Sequence, residues 1–218
     1  LSVYDELEVT VREAPGATVD VRGVGAGEVP TDDTNLVVRA IRHTFDHYEV
    51  PMPGLDPVAN NVIPHGRGMG SSGAAIVAGV MAAKGLLAGI VDLDSDALLA
   101  RATELEGHPD NVAPALFGGL TIAWVTPEGP QHKRLTVHRG VSLPVCVPES
   151  STMSTALARS LQPESVPHQD AIFNVSRSAL LIAALIQSPE LLHAATEDRL
   201  HQSYRASAMP ETDALIQL

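Results

Sequence analysis

The chain has 218 residues, with 14 Lys and Arg against 26 Asp and Glu, which gives a formal net charge of −12. This acidic balance argues against nucleic acid as the main partner and leaves no basic patch for a membrane surface. Aromatic residues make up only 3% of the chain, so a core has to be built from Ala, Val, Leu and Ile. The length is sufficient for one large domain or two small ones.

Hydrophobic periodicity predicts strands and helices in irregular order along the chain. The predicted strands cover residues 1–13, 17–24, 58–63, 120–125, 133–138 and 141–148. The predicted helices cover residues 35–48, 74–91, 95–106, 154–161, 168–187 and 189–200, and a further segment begins at 204. The turn signal Ala14-Pro15-Gly16 favours a hairpin between the first two strands. Because strands and helices mix without strict alternation, we expect an α+β fold.

The first predicted helix is capped by Asp32-Asp33-Thr34 and carries His43 and His47 one turn apart. The histidine spacing would suit a metal pair, but no third ligand is evident and a solvated helix face is the favoured interpretation. A proline-rich loop is expected at residues 52–57.

Cys146 is the only cysteine of the chain, which excludes an intrachain disulfide and suits a reducing, cytoplasmic location. It lies in the strand-like run that is expected to open a second unit at residue 141. We predict a buried small side chain rather than a catalytic thiol. The sequence shows no signal peptide, low-complexity tract or internal repeat.

The most informative stretch, called here the glycine loop, is Pro64-His65-Gly66-Arg67-Gly68-Met69-Gly70-Ser71-Ser72-Gly73-Ala74. Glycine tolerates positive φ, so this backbone can curl and bring its N–H groups close to an anion. The apolar run that follows to Val91 predicts a buried central helix, whose free N–H groups and dipole favour phosphate at its start. The serine hydroxyls there can cap the helix, contact phosphate or ligate a divalent cation.

Two other kinds of phosphate-binding loop are alternatives for this stretch. A Walker loop needs a lysine directly after its last glycine, but Ser71 stands there and the next lysine is Lys84. Gly68–Gly73 matches the dinucleotide pattern G-x-G-x-x-G, which keeps an NAD(P)-binding oxidoreductase as an alternative. That motif should follow a buried strand and lead through one helix to a second strand, and the sequence context does not favour this.

The glycine loop resembles the central motif of the GHMP kinases, Pro-x-x-x-Gly-Leu-Gly-Ser-Ser-Ala-Ala, with Met69 in place of leucine and Gly73 in place of the first alanine. The segments Glu104–Gly119 and Met153–Arg159, and Tyr204-Arg205 before Met209-Pro210, resemble the homoserine kinase branch of that family. The resemblance implies two domains: a ribosomal protein S5 domain 2-like N-terminal domain (1–140) and a ferredoxin-like C-terminal domain (141–218).

The same resemblance implies transfer of the ATP γ-phosphate to the side-chain hydroxyl of L-homoserine, a step toward threonine. It implies a small-molecule acceptor without nucleic-acid or membrane partners, and it allows a homodimer. Another GHMP kinase, acting on a mevalonate- or sugar-type alcohol, is the nearest alternative. A nucleotide-binding module without turnover is a further one.

By resemblance, the glycine loop wraps the ATP phosphates, and Ser72, with Ser71 beside it, holds Mg²⁺ together with Glu104. Asn111 is expected to bind the homoserine head group, Arg159 and Arg205 its carboxylate, and Asn35 is expected near adenine. A hydroxyl and a carboxylate are suitable hard oxygen ligands, and the arginine fork matches a carboxylate. No general base is evident.

Two family blocks are absent from the chain. The pattern Pro-x-(S/T)-x-Asn-Leu-Gly-x-Gly-x-Asp, expected before the first strand, is missing, and so is a late Gly-x-Gly-Pro motif. We therefore expect a chain that is incomplete at both ends. The Glu149–Met153 stretch is irregular for the family.

Overall fold

A computed structural model describes residues 3–147 and 155–217 of the chain. The Glu149–Met153 stretch and the start of the predicted motif at Met153 lie outside these residues. The strands are β1 (Glu6–Arg12), β2 (Asp20–Gly23), β3 (Gly54–Asn61), β4 (Leu120–Thr126) and β5 (Gly129–Leu135). The helices are α1 (Leu36–His47), α2 (Ser71–Leu86), α3 (Ser95–Glu106), α4 (Pro109–Phe117), α5 (Thr155–Ser160), α6 (His168–Ile186), α7 (Leu192–Ala195), α8 (Gln202–Arg205) and α9 (Pro210–Ile216). The expected α+β content is confirmed.

The first sheet has β3 at its centre, with β1 antiparallel on one side and β2 parallel on the other. The predicted hairpin between the first two strands is therefore wrong. The chain does turn at Pro15 and Gly16, but β3 lies between the two strands and forms the backbone hydrogen bonds with both of them. The proline-rich loop predicted at 52–57 is also partly wrong, because β3 already begins at Gly54.

Helix α1 begins where Asn35 caps it. The Asn35 Oδ1 accepts a hydrogen bond from the backbone N–H of Val37 at 2.9 Å, which satisfies one of the free donors at the helix start. Asp32, expected to cap this helix, instead accepts bonds from the N–H and hydroxyl of Thr34 at 2.9 and 2.6 Å. These bonds, led by that of the hydroxyl, lower the pKa of the Asp32 carboxyl.

Helix α2 is the buried central helix that the apolar run predicts. Its buried residues are Gly73, Ile76, Val77, Gly79, Val80 and Ala83. It packs against α1, α3, α4 and β1. The contact with α1 is close, since a Cβ added at Gly79 would lie 2.5 Å from the carbonyl oxygen of Val37. This packing fixes the position of the helix start, where Ser71 and Ser72 follow the three glycines.

The strand predicted at 141–148 is wrong over its described part. Residues 141–147 have no regular structure, and Cys146 is exposed rather than buried. Pro144 lacks the N–H that a sheet ladder uses, which weakens an isolated apolar run as a strand. The single helix predicted at 189–200 is a 3₁₀ turn at Pro189–Leu191 followed by the short α7.

The chain divides into two compact units. The first unit comprises the chain up to His65 and Met69–Arg134, and the second comprises Gly66–Gly68 with the chain from Leu135 onward. The apolar core formed by the sheet and α1 to α4 lies within the first unit. The domain boundary at residues 140/141 stays a prediction.

Among the described residues, α6 is the one helix long and apolar enough to cross a membrane, with 19 residues and a mean hydropathy of 1.2. Its charged residues are paired within the second unit: Arg177 with Glu197 at 2.7 Å and Asp170 with Arg199 at 3.3 Å. Ala184 is the buried residue of this helix, and most of its apolar side chains are exposed or half-buried. Length and composition alone are weak evidence for a membrane span.

Candidate active site

The glycine loop has the curled backbone that its sequence predicts. Gly66, Gly68 and Gly70 have φ values of 65°, 71° and 74°, a left-handed conformation that other residues rarely adopt. Gly70 is the N-cap of α2, and no side chain of the described residues caps this helix start. The first backbone N–H groups of α2 are therefore left for an outside acceptor, as an anion-binding helix start requires.

Ser72, in the first turn of α2, contacts the end of α3. Its hydroxyl donates a hydrogen bond to Glu106 Oε1 at 2.9 Å. Glu106 is the last residue of α3, and Gly107 ends the helix in a left-handed conformation with φ 87°. The packing of α3 on α2 thus places a hydroxyl and a carboxylate beside the glycine loop.

Glu104 contacts His43 of α1 and Arg101 of its own helix. One carboxylate oxygen pairs with Arg101 at 2.6 Å, and the other lies 2.8 Å from His43 Nε2. Residues two apart on a helix point in nearly opposite directions, so Glu104 faces α1 when Glu106 faces α2. The carboxylate that contacts Ser72 is therefore Glu106, which the sequence analysis did not single out, and both oxygens of Glu104 contact other residues.

The two histidines of α1 belong to this network rather than to a metal site. His43 contacts Glu104, and His47 Nδ1 lies against the guanidinium of Arg101. No group of three His, Cys, Asp or Glu side chains suited to a metal occurs in the part of the chain that the structure describes. These contacts tie α1 to α3.

Asn111 lies against the start of α2. It belongs to the first turn of α4, which begins with His108 as N-cap and Pro109 as the first helical residue. A Cβ added at Gly73 would lie 3.1 Å from the Asn111 Cβ, and one added at Gly70 would lie 3.6 Å from its Oδ1. The absence of side chains at the two glycines therefore lets Asn111 approach the loop that carries Ser72.

A cavity of about 330 Å³ opens in the first unit next to the start of α2. Its lining includes Leu7, Val21, Asn35, His65, Ala74 and Ala78. Asn35 is 6% exposed, and its side chain is already hydrogen-bonded, since its Nδ2 donates to the Pro30 carbonyl at 2.6 Å while its oxygen caps α1. The structure thus places Asn35 in the wall of an apolar cavity beside the glycine loop.

Arg159 and Arg205 both lie in the second unit. Arg159 is exposed on α5, and Arg205 is the last residue of α8. Helix α8 is anchored by Asp198, whose Oδ2 accepts from the backbone N–H groups of His201 and Gln202 at 2.6 and 2.7 Å. Burial raises the pKa of Asp198, but these bonds and one from the Asn174 amide outweigh it and hold the pKa well below its usual range.

Comparison with known proteins places this geometry in a family. The family model "GHMP kinases N terminal domain" matches residues 35–119, which span α1 to α4 and the glycine loop. The solved homoserine kinase of Cytophaga hutchinsonii superposes with a TM-score of 0.77 and 24% identity, covering 97% of this chain and 68% of that one. The fold of this chain is the GHMP kinase fold.

Sequence relatives narrow the assignment. The chain is 79% identical over its whole length to the homoserine kinase of Clavibacter michiganensis, of which it covers 69%, and 76% identical to that of Leifsonia xyli, of which it covers 67%. The chain belongs to the homoserine kinase family. It is therefore a phosphotransferase of an ATP-using family, and the dinucleotide interpretation of Gly68–Gly73 is not supported, because α2 leads to α3 rather than to a strand.

Proposed function

We propose that this protein transfers the γ-phosphoryl group of ATP to the side-chain hydroxyl of L-homoserine and forms O-phospho-L-homoserine. The observation that carries the proposal is the glycine loop, with three left-handed glycines leading into an uncapped helix start beside Ser72 and Glu106. The acceptor is inferred from the relatives, which are named homoserine kinases. Assembly as a homodimer stays a prediction.

The nucleotide is proposed to lie with its phosphates on the glycine loop and its adenine in the cavity next to α2. Phosphates suit the loop because backbone N–H groups and the dipole of α2 stabilise negative charge there. The cavity suits a flat, largely apolar ring, since Leu7, Val21 and Ala78 line it. Asn35 supports the cavity wall through its bonds to Pro30 and Val37.

Ser72 and Glu106 are the proposed ligands of Mg²⁺. Their oxygens lie 2.9 Å apart beside the loop, and a hydroxyl with a carboxylate is a hard donor set that fits this ion. When held there, Mg²⁺ would neutralise charge on the phosphates, which together with positioning is what a loose phosphoryl-transfer transition state requires. Glu104 receives no metal role, because His43 and Arg101 engage both of its oxygens.

The acceptor is proposed to be oriented by Asn111 and by two arginines. Asn111 lies within reach of the start of α2, where its amide can contact the amino acid head group. Arg159 and Arg205 are proposed to bind the carboxylate, a task for which the planar guanidinium fork is suited. The chain itself thus supplies positioning and charge neutralisation.

The proposal is tested by measuring ATP consumption by the full-length enzyme with L-homoserine, L-serine and mevalonate in parallel. We expect turnover with L-homoserine, at a kcat/KM well above that with the other two alcohols. Preference for mevalonate would support another GHMP kinase. Nucleotide binding without turnover of any acceptor would favour a binding module.

A further inference from the structure

Arg205 can bind a carboxylate with two parallel hydrogen bonds only if its guanidinium is held in one orientation. Its side chain is half-buried at the end of α8 and borders a cavity of about 180 Å³ within the second unit. Among the described residues, Arg205 forms no ion pair with a carboxylate that would fix its direction. Its orientation therefore depends on a neutral neighbour.

That neighbour is Gln162, just after α5. With its amide oxygen turned toward the arginine, Gln162 accepts a hydrogen bond from Arg205 Nε at 3.2 Å and donates one to the Leu200 carbonyl at 2.6 Å. In the opposite orientation, the amide NH₂ would face the Arg205 donor and the amide oxygen would face the Leu200 carbonyl. The hydrogen-bonding partners therefore determine the orientation of the Gln162 amide. One amide thus joins the guanidinium to the turn that precedes α8.

The turn itself is held by hydrogen bonds from two side chains, those of Asp198 and Asn174. Asp198 accepts from the Asn174 amide at 2.6 Å as well as from the two backbone N–H groups at the start of α8. The Asn174 oxygen in turn accepts from the backbone N–H of Arg199 at 2.9 Å. The Leu200 carbonyl that receives the Gln162 bond therefore belongs to a segment fixed to α6 on one side and to α8 on the other.

We propose that Gln162 is a positioning residue that orients Arg205 for the carboxylate of the amino acid substrate. This inference rests on the proposed role of Arg205. Gln162 occupies the Nε donor and leaves the two terminal nitrogens, which form the fork that matches a carboxylate. An uncharged hydrogen-bond acceptor suits the position beside Arg205 Nε, because a carboxylate there would repel the carboxylate of the substrate.

The test is steady-state kinetics of the full-length enzyme with Gln162→Leu, Arg205→Met and the double variant. We expect Gln162→Leu to raise the KM for L-homoserine by roughly tenfold, as loss of a hydrogen bond to a charged group implies, with kcat and the KM for ATP nearly unchanged. In the Arg205→Met background, Gln162→Leu should not raise the KM for L-homoserine further, because the guanidinium that Gln162 orients is already absent.

The control is Gln169→Leu, an exposed glutamine at the start of α6, which should leave all three constants unchanged. Gln162→Met, with an unbranched side chain of similar length, replaces the leucine variant if thermal unfolding reports a damaged fold. An unchanged homoserine KM in Gln162→Leu, beside a raised one in Arg205→Met, would overturn the inference and leave the role of Arg205 standing. An unchanged KM in Arg205→Met would overturn that role, and the inference with it.

Discussion

Glu104 and Glu106 lie two positions apart on α3, and the sequence pattern alone does not choose between them. Helical spacing predicts that the two carboxylates point in opposite directions, but not which of them faces the glycine loop. The choice depends on how α3 packs between α1 and α2, which brings His43 to one face and Ser72 to the other. Such a contact between distant segments leaves no local signal in the sequence.

The two carboxylates form a matched pair for testing the proposed metal site. We expect Glu106→Gln to lower kcat/KM by about 100-fold at fixed Mg²⁺, and added Mg²⁺ to restore part of it, because a lost metal ligand weakens affinity first. Glu104→Gln should stay within about threefold of the wild type, since it weakens contacts to His43 and Arg101 and not the contact of Ser72 with Glu106. Steady-state kinetics over a magnesium titration measures both variants, and the reverse ranking would return the metal role to Glu104.

At the scale of elements, local patterns predicted the first three helices well and the strand pairing poorly. Periodicity located α1 and α3, and the run of small apolar residues identified α2 as a buried central helix. The pairing order β1-β3-β2 depends on a contact across the whole of α1, which no turn signal encodes. The strand predicted near Cys146 did not form in its described part, because apolar alternation predicts a strand only where a partner strand exists.

Two glycines of α2 provide a test of the packing that positions the loop. A Cβ at Gly79 would lie 2.6 Å from the Ala40 Cβ and 2.5 Å from backbone of α1, so we expect Gly79→Ala to destabilise the protein by about 1–3 kcal/mol. A Cβ at Gly85 would meet nothing within 4 Å, so Gly85→Ala should stabilise it by about 0.5–1 kcal/mol through helix propensity. Urea unfolding measures both free energies, and stabilisation by Gly79→Ala would contradict the close contact of α1 with α2.

At the scale of the whole molecule, a net charge of −12 opposes the binding of a polyphosphate. Exposed charges farther apart than about 10 Å are largely screened at 0.1 M salt, so what matters most is the charge near the glycine loop. There the structure offers backbone N–H groups and the positive end of α2, together with the carboxylate of Glu106. A carboxylate beside phosphates is unfavourable unless a cation lies between them.

Nucleotide binding should therefore depend on magnesium in a way that thermal unfolding can measure. We expect ATP with Mg²⁺, at about 100 times its Kd, to stabilise the folded protein by about 2.7 kcal/mol and raise Tm by roughly 5–10 °C, and ATP with EDTA to do much less. In Glu106→Gln the neutral amide removes the repulsion along with the ligand. ATP with EDTA should then stabilise this variant at least as well as the wild type, while the extra gain from Mg²⁺ becomes smaller. Glu104→Gln serves as the control and should keep the wild-type response, because its side chain faces α1. Equal Tm gains with Mg²⁺ and with EDTA in the wild type would contradict a metal held by Ser72 and Glu106.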